Sequence, residues 1–413
     1  MIIRGGRLRA LSTIATQNRL TKAEIHNFQN RQLRRLVTRA YSKSDFYRQL
    51  FKSHGLKPDD IRTVKHLPLI PLTSKDDLRG TPLKNVLTLS ARPDCLIRRK
   101  TSGSSGKPFT IYRTPLEDHL LNLFRIRVRQ GYGMRISDNI ATIRELRLAQ
   151  DKFSILTSVK KALNLYTTTI IDCYSDDSEI ISSLESIQPQ IITGYPSTLA
   201  RIGSIFENRR RIGISPRFVT TGGGVMTAAM RRRIEDGFQV PVFDLYGSHE
   251  FNILAWECPD HHGYHVSENN VILEILKDGQ PAGPGESGEV VATGLHTLAM
   301  PFIRYQTGDI ATRGHENCLC GSSFSTIENI QGRTIDYFKL AGGKVMHPYE
   351  ITAHLIGAEN SWISQHQMVQ ETETDIVLKI RPCLIPGNDD LVRLQHLGQE
   401  KPVSYTHLTL PTN

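Results

Sequence analysis

Arg217-Phe-Val-Thr-Thr-Gly-Gly-Gly224, a helix-period segment Thr227–Gly237, and Val240-Pro-Val-Phe-Asp-Leu-Tyr-Gly-Ser-His-Glu250 decide the fold. Two short apolar runs end on glycine-containing loops, and an amphipathic segment lies between them, which is the pattern of strand, helix and strand. The alternation extends upstream. Tyr166–Tyr174 and Gln190–Thr193 read as strands, and Asp177–Ile187 and Ser197–Arg211 as helices. Such a series predicts a parallel sheet with helices packed on its faces. Ligands of open parallel sheets bind outside the carboxyl ends of the strands. Three of the predicted strands run into Gly194-Tyr-Pro-Ser197, Thr220-Thr-Gly-Gly-Gly224 and Tyr246-Gly-Ser-His-Glu250. Glycine lets backbone approach a ligand closely, so a site is expected where these loops meet.

After Asn270 the texture changes to strands and turns, with Val271–Leu276 and Gly288–Thr293 separated by Pro281-Ala-Gly-Pro-Gly285. This predicts a mostly β subdomain. Gly332-Arg333 opens a last, smaller α+β unit with a strand inside Asp375–Ile380. Towards the N-terminus, Glu24–Tyr41 has helical spacing, with Arg31, Arg34, Arg35 and Arg39 on a solvated face. His66-Leu-Pro-Leu-Ile-Pro-Leu-Thr-Ser-Lys75 reads as an extended connection. The expected layout is a large α/β domain over 1–332, containing a β subdomain at about 256–330, then a small unit over 333–401. Residues 402–413 look like translated sequencing-adapter sequence and are set outside the fold, so the small unit is expected to be incomplete.

Composition sets limits on function. The chain has 413 residues with 39% hydrophobic and 22% charged, enough to bury sizeable cores. No apolar run approaches the length of a membrane span. Lys and Arg total 51 against 41 Asp and Glu, a net charge of +10. Residues 1–60 hold 13 basic and 4 acidic side chains, so nearly all the excess is N-terminal and the body is close to neutral. That disfavours a nucleic-acid surface across the whole protein. Six cysteines without a secretory signal predict a reducing, cytoplasmic setting. Met1–Ala23, basic and acid-poor, carries a weak transit-peptide character, but a basic arm is the simpler reading.

Two constellations carry chemistry. Thr101-Ser-Gly-Ser-Ser-Gly-Lys-Pro108 gathers hydroxyls, glycines and a lysine, a donor set suited to a polyphosphate. It is not a Walker A loop, because Thr101 and Pro108 stand where that loop needs Gly and Ser or Thr. Strand-like Thr110–Tyr112 places it in a β-hairpin. The second constellation is Cys318-Leu-Cys320-Gly, a tight knuckle that Cys258 and one of His261, His262 or His265 would complete as a tetrahedral zinc site. Cys95, Cys173 and Cys383 read as isolated small hydrophobes. His249-Glu250 does not open a metalloprotease motif, since Ile253 stands where the second histidine belongs. No Gly-x-Ser-x-Gly elbow occurs either. Tyr195, Phe251 and Trp256 are candidates for lining an aromatic pocket, or for simple packing.

Thr101–Pro108 resembles the phosphate-binding signature of the adenylate-forming (acyl-CoA synthetase) superfamily, and three further segments match in order. Tyr246-Gly-Ser-His-Glu250 resembles the motif whose aromatic residue lies against adenine and whose glutamate meets Mg²⁺. Arg304-Tyr-Gln-Thr-Gly-Asp309 resembles the segment whose aspartate holds the ribose hydroxyls. Gly332-Arg333-Thr-Ile-Asp336 resembles the hinge into a mobile C-terminal lid. Ser44-Asp-Phe-Tyr47, Leu67–Leu78 and Thr221-Gly-Gly-Gly224 are similar to the phenylacetate–CoA ligase-like branch.

The resemblance implies an AMP-forming acid–thiol ligase that uses ATP, Mg²⁺, a carboxylic acid and CoA. It implies catalytic roles for Lys107, Glu250 and Arg333. It further implies nucleotide contacts from Thr101, Ser102, Gly103, Ser104, Ser105, Gly106, Gly222, Gly223, Gly224, Tyr246, Gly247, Ser248 and Asp309. It selects Cys258, His265, Cys318 and Cys320 as the Zn²⁺ ligands. His249 departs from the threonine common in the family. The lysine that the family uses for adenylation has no matching segment before residue 401. An enzyme of polysaccharide biosynthesis with a non-CoA acceptor, or a non-catalytic nucleotide-binding protein, are the alternatives. The sequence leaves the acid and the oligomeric state open, a homodimer included.

Overall fold

A computed structural model describes residues 20–88, 95–100, 109–146, 167–207, 213–315, 318–333, 338–339, 345–346, 362–382, 386–399 and 408–409. Its frame is one twelve-stranded mixed sheet. The parallel half comprises β3 (Ile140–Arg144), β4 (Thr168–Asp172), β5 (Ile191–Gly194), β6 (Phe218–Gly222) and β7 (Val242–Tyr246). Their spatial order is β4-β3-β5-β6-β7, every neighbour parallel. Strands β3, β5, β6 and β7 lie deep in the fold, which is why their sequences run apolar, whereas edge strand β4 exposes Thr168 and Thr169.

Helices Asp177–Ile187, Pro196–Glu207 and Ala228–Phe238 cover one face, where Ile143, Ile192, Val219 and Val242 pack against Ile180, Leu184, Ile202 and Ile234. Two of these helices approach very closely: a Cβ on Gly237 would lie 2.1 Å from the Gly203 carbonyl oxygen. The opposite face is covered by helix Pro115–Gly131, entered through Pro115 and a Thr114/Glu117 capping box.

At β7 the sheet turns antiparallel and continues through β8 (Ala255–Glu257), β9 (Tyr264–Val266), β14 (Thr326–Arg333), β13 (Tyr305–Arg313), β12 (Ser287–Gly294), β10 (Val271–Lys277) and β11 (Gln280–Pro281). A separate hairpin, β1 (Ile97–Lys100) with β2 (Thr110–Arg113), pairs Lys100 with Thr110. Residues 362–382 and 386–399 form a small α+β unit: Ile363–Gln370 pairs antiparallel with Ile376–Pro382, and helix Asn388–Gln399 packs Leu394 into their core. Leu408 and Thr409 pair in parallel with Leu378 and Lys379. Among the described residues, no helix is long and apolar enough to cross a membrane.

The N-terminal helix, Lys22–Lys43, buries Leu33, Leu36, Val37 and Ala40 against the β half, while Arg31, Arg34 and Arg35 are exposed as expected and Arg39 is instead half-buried, donating to the Thr88 hydroxyl at 3.1 Å. The segment from His66 to Lys75 departs from expectation. It is not extended throughout: Val64–Leu69 is a 3₁₀ helix, and helix Lys75–Gly80 begins at the end of the stretch. The cause is Arg304, whose guanidinium takes the carbonyls of Pro68 (3.2 Å) and Ile70 (2.7 Å) while pairing with Glu274 at 3.1 Å. Thr73 then runs beside β13, its N–H donating to the Arg304 carbonyl at 2.9 Å.

His296 sits between Phe28 of the N-terminal helix and Phe124 of helix Pro115–Gly131, with ring centroids 6.2 and 5.3 Å away. Nε2 lies 2.9 Å from the Asn269 carbonyl oxygen. Removal from water lowers its pKa from 6.5 to about 4. Because the folded value is depressed, this contribution is complete above pH 6.5 and is lost as pH falls towards 4. Urea titrations should show stability falling across that window by at most about 3 kcal/mol from this residue. The variant His296→Gln should flatten that part of the profile.

Candidate active site

The carboxyl ends of β5, β6 and β7 are neighbours: Gly194 pairs with Thr221, and Gly222 with Leu245. The three loops singled out in the sequence therefore meet. Gly223 has φ +78°, and a Cβ there would lie 2.9 Å from a Tyr195 ring carbon, so the glycine run brings the β6 loop against the β5 loop. Gly222 is fixed by β7, since its Cβ would lie 2.8 Å from the Leu245 carbonyl oxygen. Gly224 faces Pro196.

The β7 loop carries most of the chemistry. Gly247 has no room for a side chain, as a Cβ would lie 1.9 Å from the Asn252 carbonyl oxygen. Asn252 takes φ +66°, closing the loop through its N–H to the Ser248 carbonyl at 2.8 Å. The closure aims Glu250 inward. Its carboxylate is 7% exposed and accepts the Tyr305 hydroxyl at 3.2 Å. Tyr246 donates its hydroxyl to Asp309 Oδ2 at 2.6 Å. On the other side of β13, Asp309 stands in register with Arg333, the last residue of β14. Residues 246 and 250 are thus bonded to residues 309 and 305 of β13, although 63 positions separate Tyr246 from Asp309. The Ser248 hydroxyl is buried and has no hydrogen-bond partner among the described residues.

Thr101, Ser102, Gly103, Ser104, Ser105, Gly106 and Lys107 lie outside the described residues, but the strands on either side of them pair as the expected hairpin. That hairpin is tied to the β7 loop by Arg113, whose guanidinium donates to the His249 carbonyl. Arg125, on helix Pro115–Gly131, holds the same loop through Asn252 Oδ1, at 3.1 and 2.5 Å. The sequence reading passed over Arg113, Arg125 and Asn252, because their role depends on which elements meet. Of the aromatic candidates, Phe251 is fully buried against Phe302 and Tyr305, and Trp256 packs on Phe324. Both are packing residues, and only Tyr195 remains at the strand ends.

The cysteine constellation closes elsewhere, beside β8 and β9. Cys258, His265, Cys318 and Cys320 place one ligand atom each within 4.8 Å of the others. The Cys258 and Cys318 sulfurs are 3.6 Å apart, and Cys320 Sγ lies 3.2 Å from His265 Nε2. A tetrahedral zinc with ~2.3 Å bonds to sulfur separates two thiolates by about 3.8 Å, so the donor set fits the ion in type and spacing. Of the other two histidines, His261 bonds Glu257 at 2.9 Å, and exposed His262 lies with Asp260 in a second group around Cys258.

Known proteins are similar to this chain in sequence and in fold. The phenylacetate-coenzyme A ligase of Thermus thermophilus is 26% identical over 347 residues, 82% of this chain and 76% of the relative. Protein CapK of Staphylococcus aureus is 24% identical over 375 residues, 89% of this chain and 79% of the relative. A crystal structure of 2-hydroxyisobutyryl-CoA ligase with 2-HIB-AMP superposes with a TM-score of 0.79 at 18% identity, covering 96% of this chain and 88% of the other. No protein-family model matches. The chain thus shares the fold of a solved acyl-CoA ligase and is similar in sequence to curated ones. In sequence the chain is similar to phenylacetate-coenzyme A ligases from several organisms, at 25–27% identity.

Gly247→Ala tests the loop geometry. Overpacking against Asn252 should destabilise the protein by about 1–3 kcal/mol in urea unfolding, with helix content retained by circular dichroism.

Proposed function

We propose that this protein activates a carboxylic acid with ATP and transfers the acyl group to CoA. A carboxylate oxygen of the acid attacks the α-phosphorus, pyrophosphate leaves, and the mixed anhydride of acid and AMP remains. The CoA sulfur then attacks the acyl carbon, AMP leaves, and the thiol proton passes to solvent. The convergence of Tyr246, Glu250 and Asp309 beside the hairpin that bears Thr101–Pro108 carries this reading.

Catalysis of this kind is mainly positioning and neutralisation of phosphate charge. Asp309, already holding the Tyr246 hydroxyl, would accept the ribose hydroxyls, and Tyr246 would present its ring to adenine. Glu250 would hold Mg²⁺, which neutralises phosphate charge when bound and favours oxygen ligands. Ser104, Ser105 and Lys107 would steady the β- and γ-phosphates. Arg333, opposite Asp309, would reach the ribose or phosphate side from the start of the lid. Gly222, Gly223, Gly224, Gly247 and Ser248 would supply the close backbone wall.

Pyrophosphate release by full-length protein, with a panel of aryl and short-chain acids and with or without CoA, tests the reading. Acid-dependent release with thioester formed only when CoA is present is expected. Glu250→Gln should lower kcat/KM by roughly 10²-fold or more. Release that ignores the acid, or no release at all, would reject it.

We infer further that Cys258, His265, Cys318 and Cys320 hold a structural Zn²⁺, on the strength of their convergence. Metal analysis of folded protein should find about one equivalent, lost in Cys320→Ser together with stability. Less than a tenth of an equivalent would refute the assignment.

A further inference from the structure

Asp118 lies in the first turn of helix Pro115–Gly131, 8% exposed, and its two oxygens collect four donors. Arg99 approaches Oδ2 through Nη2 at 3.0 Å and Oδ1 through Nε at 3.4 Å. Arg113 Nη1 lies 3.5 Å from Oδ1, and Asn122 Nδ2 lies 3.2 Å from Oδ2. The two arginines come from different strands. Arg99 is on β1 and Arg113 on β2, so one carboxylate holds both strands of the hairpin.

Two routes continue from Asp118 to the loop that bears Glu250. Arg113, 4% exposed, donates through its other terminal nitrogen to the His249 carbonyl. Asn122 accepts from Asn252 Nδ2 at 3.1 Å, and Asn252 Oδ1 is held in turn by Arg125. Planar guanidinium forks and amide pairs fix direction as well as distance. Burial of these cations makes the carboxylate more valuable to them: desolvation pushes the Arg113 pKa down and Asp118 opposes that shift.

Helix docking does not depend on this residue. Glu117 anchors the helix by accepting the N–H groups of Leu298 and Ala299 at 2.7 and 2.8 Å, and Leu121 and Phe124 are buried. What Asp118 adds is a fixed relation between the hairpin and the Glu250 loop.

We propose that Asp118 is a positioning residue that locks the β1–β2 hairpin to the loop carrying Glu250, setting the distance between the phosphate-binding side of the site and its metal-binding carboxylate. It touches neither substrate nor reacting atoms. The proposal rests on the adenylation reading given above. Its signature is selective on that reading: ATP and Mg²⁺ would span the two locked parts.

The test compares Asp118→Asn with Glu117→Gln, which weakens helix docking without touching the lock. In Asp118→Asn, KM for ATP should rise and kcat should fall, each about tenfold, while KM for the acid stays within about twofold. Glu117→Gln should lower the melting temperature yet leave KM for ATP and kcat within about twofold. Asp118→Asn kinetics within about twofold of wild type would overturn the proposal, whatever the melting temperature. Should Asp118→Asn not fold, Arg99→Gln removes one strand's tie and should raise KM for ATP about threefold; no change there would equally overturn it. Wild-type protein that lacks acid-dependent pyrophosphate release would reject the adenylation reading instead. Asp118 is then judged by calorimetric Kd for Mg·ATP, weakened about tenfold in Asp118→Asn if the lock holds and unchanged if it does not.

Discussion

The carboxylate of Glu257 joins the two halves of the sheet. It accepts the Asp244 N–H at 2.7 Å across β7 and β8, the Arg231 guanidinium at 2.7 and 2.8 Å, and His261 Nδ1 at 2.9 Å. Its own carbonyl takes the Tyr132 hydroxyl at 2.6 Å, bringing in the end of helix Pro115–Gly131. Asp244 is equally buried and is satisfied by Thr221 at 2.6 Å and Tyr264 at 2.9 Å, although desolvation still raises its pKa. Burying two carboxylates side by side is expensive, and stripping a buried charge of its partner costs roughly 3–5 kcal/mol. The arrangement persists because every oxygen has a donor. β7 then exits directly into Tyr246–Glu250, and β8 directly into Cys258, so both the candidate site and the cysteine knuckle hang from this junction.

Sequence made the parallel half legible because buried strands write apolar runs and their glycine loops are local. Helix Asp177–Ile187 and strand β7 fall where periodicity put them. Strand β3 did not announce itself. Ile140–Arg144 has no glycine at its carboxyl end, and its neighbours β4 and β5 both come later in the chain, so its central place is a tertiary fact. The prolines of His66–Lys75 read as extended for the usual reason, yet the carbonyls of Pro68 and Ile70 are claimed by an arginine 234 residues after Ile70. In the site, Tyr246, Glu250 and Asp309 were readable as motif residues. The bonds that position them, from Tyr305, Arg113 and Asn252, follow from which elements meet and leave no spacing to read.

Charge is distributed in two separate populations. The excess in the first 60 residues appears as exposed Arg31, Arg34 and Arg35 on the N-terminal helix. A second set, Arg99, Arg113 and Arg125, lies beside the Glu250 loop in a body whose net charge is almost zero. Burial lowers the Arg125 pKa to about 10, helped by nearby arginines, which still leaves it charged at neutral pH. Overall charge was therefore a poor guide to where a polyanion would be met, and the position of these few guanidiniums is a better one.

The continuity of the sheet limits how the chain can be divided. A β subdomain beginning near residue 256 is recognisable by texture, yet β8 is hydrogen-bonded to β7 on one side and β9 on the other. As described, the sheet has only two free borders, β11 and β4. Separating the halves at β8 would create two new unpaired edges deep in apolar surroundings, the kind of surface that draws chains into aggregates. Texture along the chain and units of independent folding are thus different partitions of this protein, and the parallel and antiparallel halves stand or fall as one piece.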